Sequence, residues 1–225
     1  MKKVIVFFLL LLPFNQFAQQ IKPIQDFGVW TSLQLTKQWT DNLSFNSSTN
    51  FRLFNNASKL DKIIVELGGG YKLNKQFKLG VNMRNSYNKS RSGKIRNNNR
   101  FDLSLRYKKK LSKSFKLYYQ LKFQQNFIDL LNSYTSQGYY TTTFRNKLLL
   151  KFKMSEKNKT YFSSELFRLS VPAKPAYFSN IRFLLGNKKR FKKTTFDLSF
   201  GYERELNSEA PLSFFFTRLI FSLNL

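Results

Sequence analysis

From Phe27 to the C-terminus, apolar residues recur at every second position in eleven successive segments. Each segment is about as long as a strand that crosses a bilayer at a tilt. A period of 2 puts alternate side chains on opposite faces of a strand, so each segment has one apolar and one polar face. In Asp26–Gln38 the apolar face carries Phe27, Val29, Leu33 and Leu35 against Gly28, Ser32, Gln34 and Thr36. In Phe115–Gln125 it carries Phe115, Leu117, Tyr119, Leu121 and Phe123 against Lys116, Gln120, Lys122 and Gln124. The last segment alternates Leu219, Phe221, Leu223 and Leu225 with Arg218, Ser222 and Asn224. Tyr161–Leu169 is the least regular.

The connections alternate as well. Short turns (Trp39–Asn42, Asn74–Gln76, Leu111–Ser114) take turns with longer loops such as Asn88–Asn99, Phe127–Gln137 and the one holding Pro172 and Pro175. Tight turns at one end and longer loops at the other are the pattern of an up-and-down barrel. A soluble β-sandwich or lipocalin-like barrel would alternate too, but it gathers its apolar faces into one core. This chain has 26 Phe and 11 Tyr, too many large outward rings for that arrangement. The expected fold is all-β: an antiparallel up-and-down transmembrane β-barrel of ten to twelve strands. Twelve is favoured because closed single-chain bacterial barrels have even counts. The extra strand would come from Gln19–Gln25, although Pro23 there suits an edge or the lumen better than a strand interior.

Two domains in sequence follow. Residues 1–18, MKKVIVFFLLLLPFNQFA, combine Lys2 and Lys3, an apolar run and a terminal Ala, the form of a secretory signal peptide. The run is shorter than the roughly 20 apolar residues of a spanning helix, and no later segment reaches that length. Residues 19–225 form the barrel domain, with cleavage expected after Ala18.

The chain has neither His nor Cys, which excludes disulfides, imidazole and thiolate metal sites, and every catalytic arrangement that runs through histidine. The expectation is a non-enzyme with no cofactor. An envelope-lipid enzyme without histidine, using Glu66, Glu165 or Asp197 as a base, is the least favoured of three functions. The other two turn on the inward face.

The inward face is basic, in line with 39 Lys+Arg against 12 Asp+Glu. Its candidate lumen residues are Arg52, Arg84, Arg106, Lys122, Arg145, Arg182 and Arg218, with the acids Glu66, Glu165 and Asp197. If Arg106, Arg145, Arg182 and Arg218 pair with Glu66, Glu165, Asp197 and Glu203, the interior closes on itself and the barrel is a structural or accessory scaffold. If a lumen stays open, the same wall attracts small anionic solutes, as in a channel or porin. Nucleic acid is not an expected partner, because the aromatics stand on the face opposite most of the cations. Basic loop residues (Lys89, Arg91, Lys94, Arg96) suit the phosphates of lipopolysaccharide among the outer-membrane lipids. A protein partner in the envelope is a further expectation. Trp30, Trp39, Tyr71, Tyr87, Tyr107 and Phe115, near segment ends, are candidates for interfacial girdles.

The opening DFGVW (Asp26–Trp30), the hairpins YKLNKQFKLG (Tyr71–Gly80) and YKKKLSKSFKLYYQLKF (Tyr107–Phe123), and the strand-final C-terminus carry a resemblance. The chain resembles the outer-membrane barrel family called domain of unknown function 2490. The resemblance covers nearly the whole mature chain. It implies a barrel in the outer membrane of a Gram-negative bacterium and carries no chemistry onto particular residues.

Overall fold

The computed structural model describes residues 23–89, 95–128 and 140–225. Its strands are β1 (Ile24–Gln38), β2 (Leu43–Phe54), β3 (Lys59–Lys72), β4 (Phe77–Lys89), β5 (Ile95–Lys110), β6 (Phe115–Ile128), β7 (Tyr140–Lys153), β8 (Asn158–Ser170), β9 (Tyr177–Phe191), β10 (Thr194–Glu205) and β11 (Leu212–Asn224). Each strand pairs antiparallel with the next, and the sheet closes by a parallel pairing of β1 with β11.

The count is therefore eleven, inside the expected range but not the favoured twelve. The pairing runs from Ile24 opposite Leu212 to Thr36 opposite Asn224, which leaves no open edge for another strand to fill. A strand so placed must run parallel to its neighbour, because with an odd number the first and last strands point the same way. Ile24 and Gln25 belong to β1, while Gln19–Lys22, like the leader, lie outside the described residues.

Four of the five hairpins at one end, here called the turn end, share one local design. Each is four residues long, and the second supplies a side-chain acceptor: Thr40, Asn74, Ser112 or Ser155. These oxygens accept the backbone N–H of the residue three on, at 3.0, 2.8, 3.1 and 3.1 Å respectively. The first residue of each turn donates its N–H across the hairpin, as Leu73 does to the Phe77 carbonyl at 3.0 Å. Short polar side chains that bond their own turn stabilise tight reversals. At the other end, the loop end, Asp26 accepts the backbone N–H of Asn55 and Asn56, tying the β2–β3 turn to β1. Asn55 and Asn56 have φ of 56° and 55°, a left-handed region that asparagine tolerates.

The period-2 pattern is realised as two surfaces. Leu33, Leu67, Met83, Leu121, Leu148, Leu185 and Phe200 all point outward and are exposed. Rings bracket this apolar band. Toward the turn end Trp39 meets Phe45, Phe77 meets Tyr107, and Phe115 meets Phe152. Tyr87, Tyr140 and Tyr177 stand toward the loop end, with Tyr202 against Phe215 at 4.9 Å.

Five of the six girdle candidates thus face outward; Trp30 does not. It is buried inside the barrel, its ring 3.8 Å from that of Phe216. Its even number places it with Gly28 and Ser32 on the inward face, and that parity is the sequence signal for the correction. The small apolar core of the interior gathers there: Trp30, Leu184 and Phe216, with Phe214 packed against them. Strand β8 reads poorly in sequence because Phe167 and Leu169 also turn inward and a register shift follows Phe167.

Candidate functional site: a charged bore

The interior is lined by one residue in two from every strand, and strand register decides which charges meet. Glu66 on β3 stands opposite Arg84 on β4, and Arg84 Nε donates to its Oε2 at 2.7 Å. Arg100 on β5 is opposite Arg84, donates to Asp102 at 3.0 Å, and lies 3.9 Å from Glu66. Asp102 is fully buried and accepts from Lys122 at 3.3 Å and Gln124 at 2.8 Å, both on β6. Gln124 in turn accepts from Arg145 on β7, whose Nη2 donates to Glu165 on β8 at 2.7 Å. The other oxygen of Glu165 accepts from Arg182 on β9 at 3.4 Å, and Arg182 Nε donates to Glu203 on β10 at 2.7 Å.

These contacts form a belt from β3 to β10. Each link joins residues on the same or adjacent strands, except Arg100 to Glu66, which skips one strand. The belt therefore follows the wall instead of crossing the bore. Side chains that are ion-paired along the wall stay extended against it, since each cation is held by a neighbour in the sheet.

Two inward glycines have the same consequence for rings. Gly201 pairs with Phe216, and a Cβ on Gly201 would fall within the Phe216 ring. Gly186 pairs with Tyr161, and a Cβ there would overlap the phenol. Each glycine thus lets a neighbouring ring lie flat on the wall. From that position the Tyr161 hydroxyl donates to Asp197 at 2.7 Å and accepts from Arg218 Nη2 at 2.7 Å. Arg52 and Arg182 lie over the Trp30 ring, 4.1 and 5.2 Å from its centre, so the β8-to-β2 sector is the thick side of the bore.

The space left divides into a vestibule and deeper cavities. A vestibule of about 510 Å³ at the loop end has Trp30, Phe54 and Phe214 among its walls. Its charges balance: Arg52, Lys62, Lys89 and Arg182 against Asp26, Asp61, Glu203 and Glu205. The central cavity of about 430 Å³ meets the vestibule at Trp30, Arg52, Asn180, Arg182 and Glu203. Eight cations and two carboxylates, Glu165 and Glu203, line the central cavity. Beyond it lie a cavity of about 340 Å³, lined by Lys78, Arg106, Lys122 and Glu66, and one of about 140 Å³. The smallest is lined by Lys147, Lys151, Lys159, Lys188 and Arg218 with Asp197. The basic excess is thus absent at the loop end and large from the centre to the turn end.

The model of the family described as "Protein of unknown function (DUF2490)" matches residues 27–211, most of this chain. The chain belongs to that family. Solved structures similar to it include the NanC porin in a rhombohedral crystal form, 12% identical with a TM-score of 0.49, covering 82% of this chain and 88% of that one. The β domain of the Bordetella autotransporter BrkA is 10% identical with a TM-score of 0.45, covering 82% of each chain. No curated protein matches the chain.

In this DUF2490 barrel all ten candidate lumen residues point inward. Arg145 meets Glu165, Arg182 meets both Glu165 and Glu203, and Arg218 approaches Asp197 at 4.0 Å. Arg106 does not pair as expected. It stands opposite Lys78 and Gln120, and Glu66 is taken by Arg84 and Arg100. The central acid of the belt, Asp102, lies on the inward face that its even position on β5 beside Ser104 and Arg106 marks, though alternation alone does not single it out as the belt's centre. Among the described residues no group of three or more Asp or Glu side chains is placed to hold a metal ion. The Arg91 and Lys94 loop positions lie outside the described residues.

Proposed function

We propose that this protein is an outer-membrane β-barrel of a Gram-negative bacterium that admits small anionic solutes through its bore. The membrane reading rests on the outward surface. An apolar band that runs around a closed barrel, bracketed by rings, would be a liability in water and matches the hydrocarbon layer and its two interfaces. The leader of residues 1–18 supplies the route of export. With turns in the periplasm and loops outside, the balanced vestibule faces the medium and the basic half faces the periplasm.

One observation carries the anion reading over the closed scaffold: the ion-pair belt hugs the wall from β3 to β10 and leaves the central cavity of about 430 Å³ with eight cations to two carboxylates. In a narrow low-dielectric tube such an excess focuses the field and favours anions over cations. The test is single-channel recording of the purified protein in a planar bilayer under a salt gradient. A reversal potential of anion-selective sign is expected. Silence in the bilayer returns the barrel to a structural role, and cation selectivity contradicts the charge argument. Outer-membrane fractionation and heat-modifiable gel migration check the location and the fold independently.

A further inference from the structure

The smallest cavity, at the turn end, has a composition that the belt does not explain. Lys147 and Lys151 come from β7, Lys159 from β8 and Lys188 from β9, while Leu149 and Tyr161 supply its apolar walls. Register places Lys159 directly opposite Lys188, and like charges at opposed positions of a sheet destabilise it. Lys188 is also opposite Asp197, the one carboxylate lining the cavity. That carboxylate is already engaged, accepting from the Tyr161 hydroxyl at 2.7 Å and lying 4.0 Å from Arg218. Arg218 is committed too, donating to Ser199 at 3.0 Å and to Tyr161 at 2.7 Å.

Four lysines thus line one cavity whose own acid is engaged by Tyr161 and Arg218. Among the described residues none of the four forms a hydrogen bond or an ion pair; Lys151 has only the ring of Tyr118, 4.9 Å away. These four lysines carry three N–H donors each and line a space of about 140 Å³, Lys147 shared with the central cavity and Lys159 exposed at the mouth. At roughly 30 Å³ per water molecule, that space takes one tetrahedral oxyanion and a few waters. Lysines serve phosphate as flexible point charges and need no fixed fork geometry, so lysines lining one cavity can turn toward a shared guest. A doubly charged guest offsets more of the excess positive charge around this cavity than a single chloride does.

We propose that this cavity, walled by Lys147, Lys151, Lys159 and Lys188, is a binding site for a doubly charged oxyanion of phosphate size. It deepens the anion-admitting reading by naming the class of solute and where it dwells, at the turn-end mouth of the bore.

The experiment is titration calorimetry of inorganic phosphate into the folded barrel in a zwitterionic detergent at low ionic strength, with chloride as the comparison. Saturable 1:1 phosphate binding is expected, with chloride at least about tenfold weaker. The double variant Lys151→Gln/Lys188→Gln should lose about tenfold or more in affinity, while Lys113→Gln, an exposed turn residue, should bind as the unaltered chain does. Unchanged heat-modifiable migration shows that the double variant is folded. If it fails to fold, Lys159→Gln alone, which leaves the Asp197 neighbourhood intact, gives the same comparison. Phosphate binding that survives these substitutions, or that chloride matches, overturns the site. The outcome is separable from the channel reading: conductance without saturable phosphate binding rejects the site alone, and binding without conductance rejects the channel alone.

Discussion

Glu165 on β8 stands directly opposite Arg182 on β9, yet its shorter ion pair is with Arg145 on β7, at 2.7 Å against 3.4 Å. One buried carboxylate therefore holds two guanidinium groups from the strands on either side. Its removal leaves two buried cations facing each other, with Arg182 still supported by Glu203 and Arg145 by Gln124. Glu165→Gln is expected to lower folding stability by about 3 kcal/mol, the scale of a broken buried pair. The measurement is the urea midpoint of the heat-modifiable band. A midpoint shift near zero would show that the belt contributes nothing to stability.

The wall glycines make a paired prediction. Gly201→Ala drives a Cβ into the Phe216 ring and forces that ring off the wall into the bore, costing about 1 to 3 kcal/mol and narrowing the path. Gly69→Ala is the control: its Cβ would meet nothing nearer than 3.8 Å, on the outward face. Reduced conductance in the first and unchanged conductance in the second is the expected result, read by planar-bilayer recording.

Trp30→Ala removes the ring on which Arg52 and Arg182 lie and which stacks on Phe216. A loss of about 3 kcal/mol is expected from the emptied space. Because the thick sector of the bore thins at the same time, conductance should rise. A drop in stability with unchanged conductance would place the narrowest point elsewhere, most plainly at the belt.

The outward band has its own test. Leu67→Arg, in the middle of β3, should cost about 2 to 4 kcal/mol in lipid, whereas Leu111→Arg, at the turn end, should cost about 0 to 1 kcal/mol. Refolding into vesicles across a urea series measures both. Equal costs would argue that the band does not contact hydrocarbon.

The alternation of side chains was enough to place Arg52, Glu66, Arg84, Asp197 and Arg218 on one face and Leu33, Leu67 and Phe200 on the other, because a period of 2 is a property of any strand. It also held the information for Trp30, whose parity outranks its nearness to a segment end. Three of the four repeated turns, those at Thr40, Asn74 and Ser112, were visible as polar residues between strands, and the acceptor position they share with the fourth is a local matter that sequence carries.

What alternation leaves open is which strands pair, at what register, and how the ends meet. Glu66 and Arg106 lie on the same face, and nothing local says that Arg84 and Arg100 take Glu66 first; that follows from the pairing of β3 with β4 and β4 with β5. The parallel β1–β11 closure, and with it the meeting of Trp30 and Phe216, depends on residues nearly two hundred positions apart. The faces of this barrel were determined by sequence alone, since backbone geometry imposes them residue by residue. The charge belt, the flat rings over glycine and the lysine-walled cavity were decided only in three dimensions, because register and closure are joint properties of the whole sheet.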